Sequence, residues 1–167
     1  MLAKRIASCL GAPYLELDSV HHQANWQPLD PDRFRALIDE HTAGDDWVVD
    51  GNYTVVQDLV WSRADTVVWL DLPRALVMWQ VFSRTARRAA TREELWNGNR
   101  EPLRNFLSLV PEESVIAWAW TRHRIYRERY EQAMQHPDWS HLRFIRLRSR
   151  REATRLIGQR RPRHNEA

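Results

Sequence analysis

The stretch VVDGNY, residues 48–53, sets Asp50 at the end of an apolar run and follows it with Gly51. A carboxylate in that place, ahead of a residue that lets the backbone turn sharply, suits a magnesium–phosphate site. Magnesium keeps most of its waters and is held through one or two carboxylates. The same pair also makes an ordinary Asp-Gly turn, and the dipeptide alone does not separate the two. Further along, Arg84 and Arg88 stand one helical turn apart with Arg87 beside them, and none of the three has an acidic residue four places away. Planar guanidinium groups suit a phosphoryl donor, whose transition state spreads charge over several oxygens; a solvated helix face accounts for them equally well. Arg124 and Arg127 share a second helical face, with Arg122 and Arg129 nearby, and Glu128 and Glu131 are spaced to pair with some of them.

The elements that must position these groups read as strands alternating with helices. Leu2, Ile6, Cys9 and Leu10 fall on one helical face, and Gly11 and Pro13 stop that helix. A short strand over residues 14–17 then ends at Asp18. Asp30-Pro31 caps a helix carrying Phe34, Leu37, Ile38 and His41 on one face, with Gly44 beyond its end. WVVD (47–50) is a buried strand, and a short helix holds Val56, Leu59 and Val60. DTVVWLDLP (65–73) is the strongest strand, a continuous apolar run of the kind covered on both faces of a parallel sheet. Pro73 opens a long helix with Leu76, Trp79, Val81 and Phe82 among its apolar positions. Residues 91–111 lose all periodicity and read as a functional loop. A second long helix runs from Glu112 to about Gln135, LRFIRL (142–147) is the last strand, and Ser149 caps a closing helix. The fold class is therefore α/β with a parallel sheet, and function in that architecture sits at the carboxyl ends of the strands. Asp18, Asp50 and Asp71 occupy such ends.

The 167 residues make one domain, placed at 1–160 with the lid at about 91–111 and a disordered tail at 161–167. The net charge of +3 rests on arginine, since Lys4 is the one lysine. Basic residues gather at 84–104, 122–129 and 143–163, which keeps nucleic acid open as a partner, but no groove-reading or base-stacking motif accompanies them. Cys9 stands alone, so there is no disulfide framework and a reducing, cytoplasmic setting is expected. No apolar run is long enough for a membrane span. Lys4 and Arg5 ahead of IASCLGA mimic a signal peptide, against which the helical periodicity and the abrupt PYLELD argue. His21 and His22 with Asp18 suggest metal binding, but no second cluster has ligand spacing and a hydrogen-bonding or substrate role is preferred. Trp47, Trp69 and Trp79 fall on packing patterns; Trp26 and Trp96 lie in loops, where they pack or stack on a base or sugar.

Taken in order, these segments resemble the P-loop nucleotide kinases of the adenylate-kinase type, and among them the bacterial group labelled adenylate-kinase-like or "DNA topology modulation" proteins. WVVDGNY is similar to the family's strand and Asp-Gly segment, ADTVVWLDLPRALVMWQVFSR to its next strand and lid-opening helix, TREELWNGNRE and WAWTRHRIYRERY to the lid and the helix after it, and YLELDSVHHQANW to the acceptor side. The resemblance implies a five-stranded parallel sheet flanked by helices, an Arg-rich lid, ATP with Mg2+, and phosphoryl transfer to a small acceptor, a nucleotide or nucleoside. Shikimate-like and gluconate-like acceptors are carried by the same scaffold. It implies that Asp50 orients the waters of Mg2+, that Arg84, Arg88 and Arg124 meet the ATP, and that Arg88 and Arg127 clamp phosphates. Asp18, His22, Asn52 and Tyr53 would face the acceptor, with Arg33 and Arg35 in reach of an acceptor phosphate or merely solvated.

The family's first strand and its phosphate loop, G-x-x-G-x-G-K-[ST], stand just before the helix that here begins at residue 1, and no G-x-x-x-x-G-K-[ST] occurs in the 167 residues. Backbone N–H groups and the lysine of that loop cradle the β- and γ-phosphates. The expectations are a sheet whose first, central strand is missing between WVVD and TVVWLDL, a chain start set downstream of the true one, and no phosphoryl transfer by the chain as given. The alternatives are a non-catalytic nucleotide-binding or interaction protein and a nucleic-acid-binding protein.

Overall fold

Each short apolar run is stopped by a residue that cannot continue it, and the architecture follows from those stops. The computed structural model describes residues 2–91, 94–99 and 115–159. Helix α1 (Leu2–Leu10) ends at Gly11, whose φ of +68° turns the chain into strand β1 (Tyr14–Glu16). The run predicted as strand through residue 17 instead bends at once into helix α2 (Leu17–His21). The reason is packing: Leu17 is 2 % exposed and enters the core with Phe34, Ile38 and Val56. A tight 3-10 turn (Ala24–Trp26) leads to α3 (Pro31–His41), capped by the Asp30 carboxylate, which accepts from the N–H groups of Asp32 and Arg33 at 3.1 Å.

Strand β2 (Val48–Asp50) lies parallel to β1 in the register Tyr14–Val48, Leu15–Val49, Glu16–Asp50. Helix α4 (Thr54–Arg63) packs on α3 and leads to β3 (Thr66–Leu70), and α5 (Arg74–Thr91) packs along α6 (Val115–Ala133). Strand β4 (Arg143–Leu147) pairs parallel with β3 from Thr66–Arg143 to Leu70–Leu147. Helix α7 (Arg150–Gln159) packs on β4 and against α1, with the Ser149 hydroxyl accepting from the N–H of Glu152 as expected of its cap.

The class is thus mixed α/β with parallel pairing. The described strands form two two-stranded sheets, β1–β2 and β3–β4, in place of one continuous sheet, and β2 and β3 have no pairing with each other among the described residues. Each sheet has its own core. Leu17, Phe34, Ile38 and Val56 serve the first; Trp61, Ala133 and Leu142, with Tyr130, Trp139 and Phe144 around them, serve the second. Trp69 is buried at 7 %, as its pattern predicts, but Trp79 is 65 % exposed and stacks on Phe82. The apolar stripe of α5 is wider than the face α6 covers, so periodicity located the stripe without telling how much of it packs. The bulk of the expected lid and the tail at 161–167 lie outside the described residues.

Candidate functional site

The richest cluster stands just past the carboxyl ends of β1 and β2. Asp18 opens α2, two residues after β1, and Tyr53 follows β2 by way of Gly51 and Asn52. Gly51 has φ +143°, and a Cβ there would meet the Cβ of Leu17 at 2.7 Å, so the turn between the two strand ends is open only to glycine. That close approach brings the Tyr53 hydroxyl to the Asp18 carboxylate, to which it donates at 2.7 Å. The hydroxyl oxygen also lies 3.3 Å from His22 Nε2. With the phenol proton given to Asp18, His22 is the donor, and its proton sits on Nε2. Burial first, and then the hydrogen bond to Asp18, push the Tyr53 hydroxyl far above the ordinary tyrosine range, so it remains a proton-bearing link between the two.

Aromatic rings enclose this trio. The His21 ring lies 4.6 Å from Tyr53 and 5.3 Å from Phe34, and Trp26 meets His22 edge-on at 5.3 Å. Trp96, from a segment more than seventy residues away, stacks on His22 at 5.9 Å and 26°. The Arg88 guanidinium is 6.0 Å from the Trp96 ring, and its Nε is buried with no hydrogen-bond partner among the described residues. Sequence reasoning named Asp18, His22, Tyr53 and Arg88, and the structure brings them within one neighbourhood. It missed Asn97 and Asn99, which fasten the Trp96 segment in place. The signal for them was the Asn-Gly pair of WNGN, a tight-turn sequence.

Of the other expected residues, Asp50 and Asn52 stand at the same strand end as the cluster, and Arg84, Arg124 and Arg127 lie on α5 and α6. Asp50 is half-buried at the end of β2, its Oδ2 accepting from the Tyr14 hydroxyl at 3.1 Å. Burial first, and then the Asp50 charge, raise Tyr14 well above its usual range. Asn52 is half-buried between Gly51 and Tyr53, and Arg84 is exposed on α5. Arg124 reaches Glu128 at 3.7 Å with its side chain 81 % exposed. Arg127 faces Glu131 at 3.4 Å and Asp71 at 3.8 Å. Arg146, read from sequence only as part of the basic stretch 143–163, reaches Asp71 at 2.6 Å and Glu131 at 2.8 Å, with its guanidinium 4.3 Å from the Trp69 ring. Asp71, at the end of β3, is therefore the buried anchor of an ion network that ties α6 to β4. Arg35 is likewise held by Asp58 at 2.7 and 2.9 Å and by the Val55 carbonyl, which leaves it little reach toward an acceptor.

The fit to ATP with Mg2+ can be judged from the donor set. Asp50, the register partner of Glu16, is engaged by Tyr14, and no group of three or more His, Cys, Asp or Glu among the described residues is arranged to hold a metal. Nor do the 167 residues contain the glycine-rich run whose N–H groups cradle donor phosphates. Of the partners such a donor uses, the 167 residues thus carry a strand-end carboxylate and no phosphate loop. No helix among the described residues is long and apolar enough to cross a membrane. Compared with known proteins, the chain matches no family model, no curated protein and no solved structure.

Proposed function

We propose that this chain carries the acceptor side of an ATP-dependent phosphoryl-transfer scaffold, binding a nucleotide or nucleoside, and that as given it does not itself transfer phosphate. The observation that supports this is the Asp18–Tyr53–His22 trio past the ends of two parallel strands, walled by Trp26 and Trp96. Carboxyl ends of parallel strands are where ligands of α/β proteins bind. Asp18 Oδ1 is taken by Tyr53, and no hydrogen bond among the described residues engages Oδ2, which is left to an acceptor hydroxyl. Indole and imidazole faces favour a nucleobase over a non-aromatic acceptor, since base–aromatic stacking is worth about 1–3 kcal/mol per base. In this reading Arg88, 6.0 Å from the Trp96 ring, meets a phosphate on that ligand.

Calorimetry with the 167-residue chain tests the reading. A nucleoside monophosphate binds with a dissociation constant of roughly 0.1 mM, and Asp18→Asn weakens it by about tenfold, the loss of one charge-assisted hydrogen bond. Mg-ATP shows no micromolar binding. Failure of every nucleoside monophosphate to bind below the millimolar range overturns the reading, as does unchanged binding by Asp18→Asn. The alternative as a nucleic-acid binder draws on the exposed Arg148, Arg150, Arg151 and Arg155 around α7; salt-sensitive retention of DNA, lost on replacing those arginines, would favour it.

A further inference from the structure

Two five-residue loops of this chain have the same hydrogen-bonded frame. In QANWQ the N–H of Gln23 bonds the carbonyl of Gln27 at 2.8 Å, and the N–H of Gln27 bonds the carbonyl of Ala24 at 3.4 Å. In LWNGN the N–H of Leu95 bonds the carbonyl of Asn99 at 2.7 Å, and the N–H of Asn99 bonds the carbonyl of Trp96 at 3.2 Å. Each places an asparagine in the left-handed region, Asn25 at φ +59° and Asn97 at φ +57°. The loops dock against each other through the second one's side chains. Asn99, only 4 % exposed, donates from Nδ2 to the carbonyl of Gln23 at 2.8 Å and accepts at Oδ1 from the N–H of Trp26 at 2.9 Å. Asn97 donates from Nδ2 to the carbonyls of His22 at 2.6 Å and Ser19 at 3.3 Å.

We infer that Asn99, assisted by Asn97, is the positioning residue of the acceptor site: it fixes the backbone of Trp26 and seats Trp96 over the His22 ring, so that one side chain sets both indole walls. The inference rests on reading the Asp18 cluster as that site. A carboxamide is the side chain of this size that offers a donor and an acceptor together, and here it meets one backbone carbonyl and one N–H. Buried polar groups are retained at a desolvation cost unless both ends are satisfied. Satisfied as it is, Asn99 makes the joint between loops 73 and 76 residues apart specific in register. The stack that results covers one face of His22, so access to the trio depends on whether this joint is made.

The consequence is read without any ligand, by the rate at which diethyl pyrocarbonate modifies His22, followed by peptide mass spectrometry. The exposed His136 and His141 serve as references in the same molecule. Asn99→Ala raises the His22 rate by roughly tenfold, as the loss of two hydrogen bonds biases an opening equilibrium. Trp96→Ala raises it equally. Asn99→Asp, which keeps the volume but turns an acceptor toward the Gln23 carbonyl, raises it as well, and a role in packing alone would leave it unmoved. An unchanged His22 rate in both Asn99 variants overturns the inference, and so does a rise matched by the reference histidines, which marks general unfolding. If Asn99→Ala does not fold, Asn97→Ala carries the same comparison. None of these outcomes depends on nucleotide binding, so a failed calorimetric titration and a failed joint are told apart.

Discussion

Tyr53 ties the candidate site together, donating to Asp18, accepting from His22 and packing its ring at an angle against His21 and Phe34. Tyr53→Phe keeps the ring contacts and removes only the link. Its expected effect is a modest stability loss of about 1–2 kcal/mol in urea unfolding, with a proportionally larger fall in nucleoside monophosphate affinity. Equal effects on the two would make the hydroxyl a structural group only. The arginines divide in the same way. Arg146 is 19 % exposed between two carboxylates, whereas Arg127 is 50 % exposed and farther from both. A hydrogen bond from Arg146 holds Glu131 below the usual carboxylate range. Arg146→Ala therefore lowers the urea midpoint more than Arg127→Ala, and the reverse order would contradict the network described. Spacing alone could not assign Arg127, because a phosphate and a buried carboxylate ask for the same guanidinium.

At the level of elements, the caps and the strongest runs were legible in the sequence. Asp30-Pro31 and Ser149 start their helices as their side chains dictate, and the run ending in Trp69 and Leu70 is a parallel strand. Leu17 was not, because alternation in YLEL suits a strand and only the three-dimensional core says that the chain must bend there. Asn97 and Asn99 were missed as site residues for a related reason: WNGN marks a tight turn but not its partners, which are 73–78 residues distant. The turn between β2 and α4 is tested by Gly51→Ala. With φ +143° and Leu17 2.7 Å from the added carbon, it costs about 1–3 kcal/mol and separates Tyr53 from Asp18, so ligand affinity falls with stability. Phe34→Ala, fully buried in the first core, costs about 3–5 kcal/mol. A loss below ~1 kcal/mol would mean that α3 does not pack as described.

Over the whole molecule, the described strands form two short parallel sheets with separate cores, where the resemblance implies one continuous sheet. Histidines make such a molecule sensitive to acid. Burial, and then the nearby His22, hold His21 below the ordinary histidine value of 6.5, and burial does the same for His41. Both stay neutral in the fold where the unfolded chain takes up protons, so the stability they contribute is complete above about pH 6.5 and is lost as pH falls toward their lowered values. The melting temperature accordingly drops between about pH 7.5 and about pH 5.5, and His41→Gln removes part of the drop; a flat profile would contradict the burial of these rings. The most direct test of the account's central claim is a residue-resolved NMR titration of the 167-residue chain with a nucleoside monophosphate. The account predicts that the largest shifts fall on His22, Tyr53 and Trp96 while α7 stays still, and shifts confined to Arg150, Arg151 and Arg155, or none at saturating ligand, would contradict it.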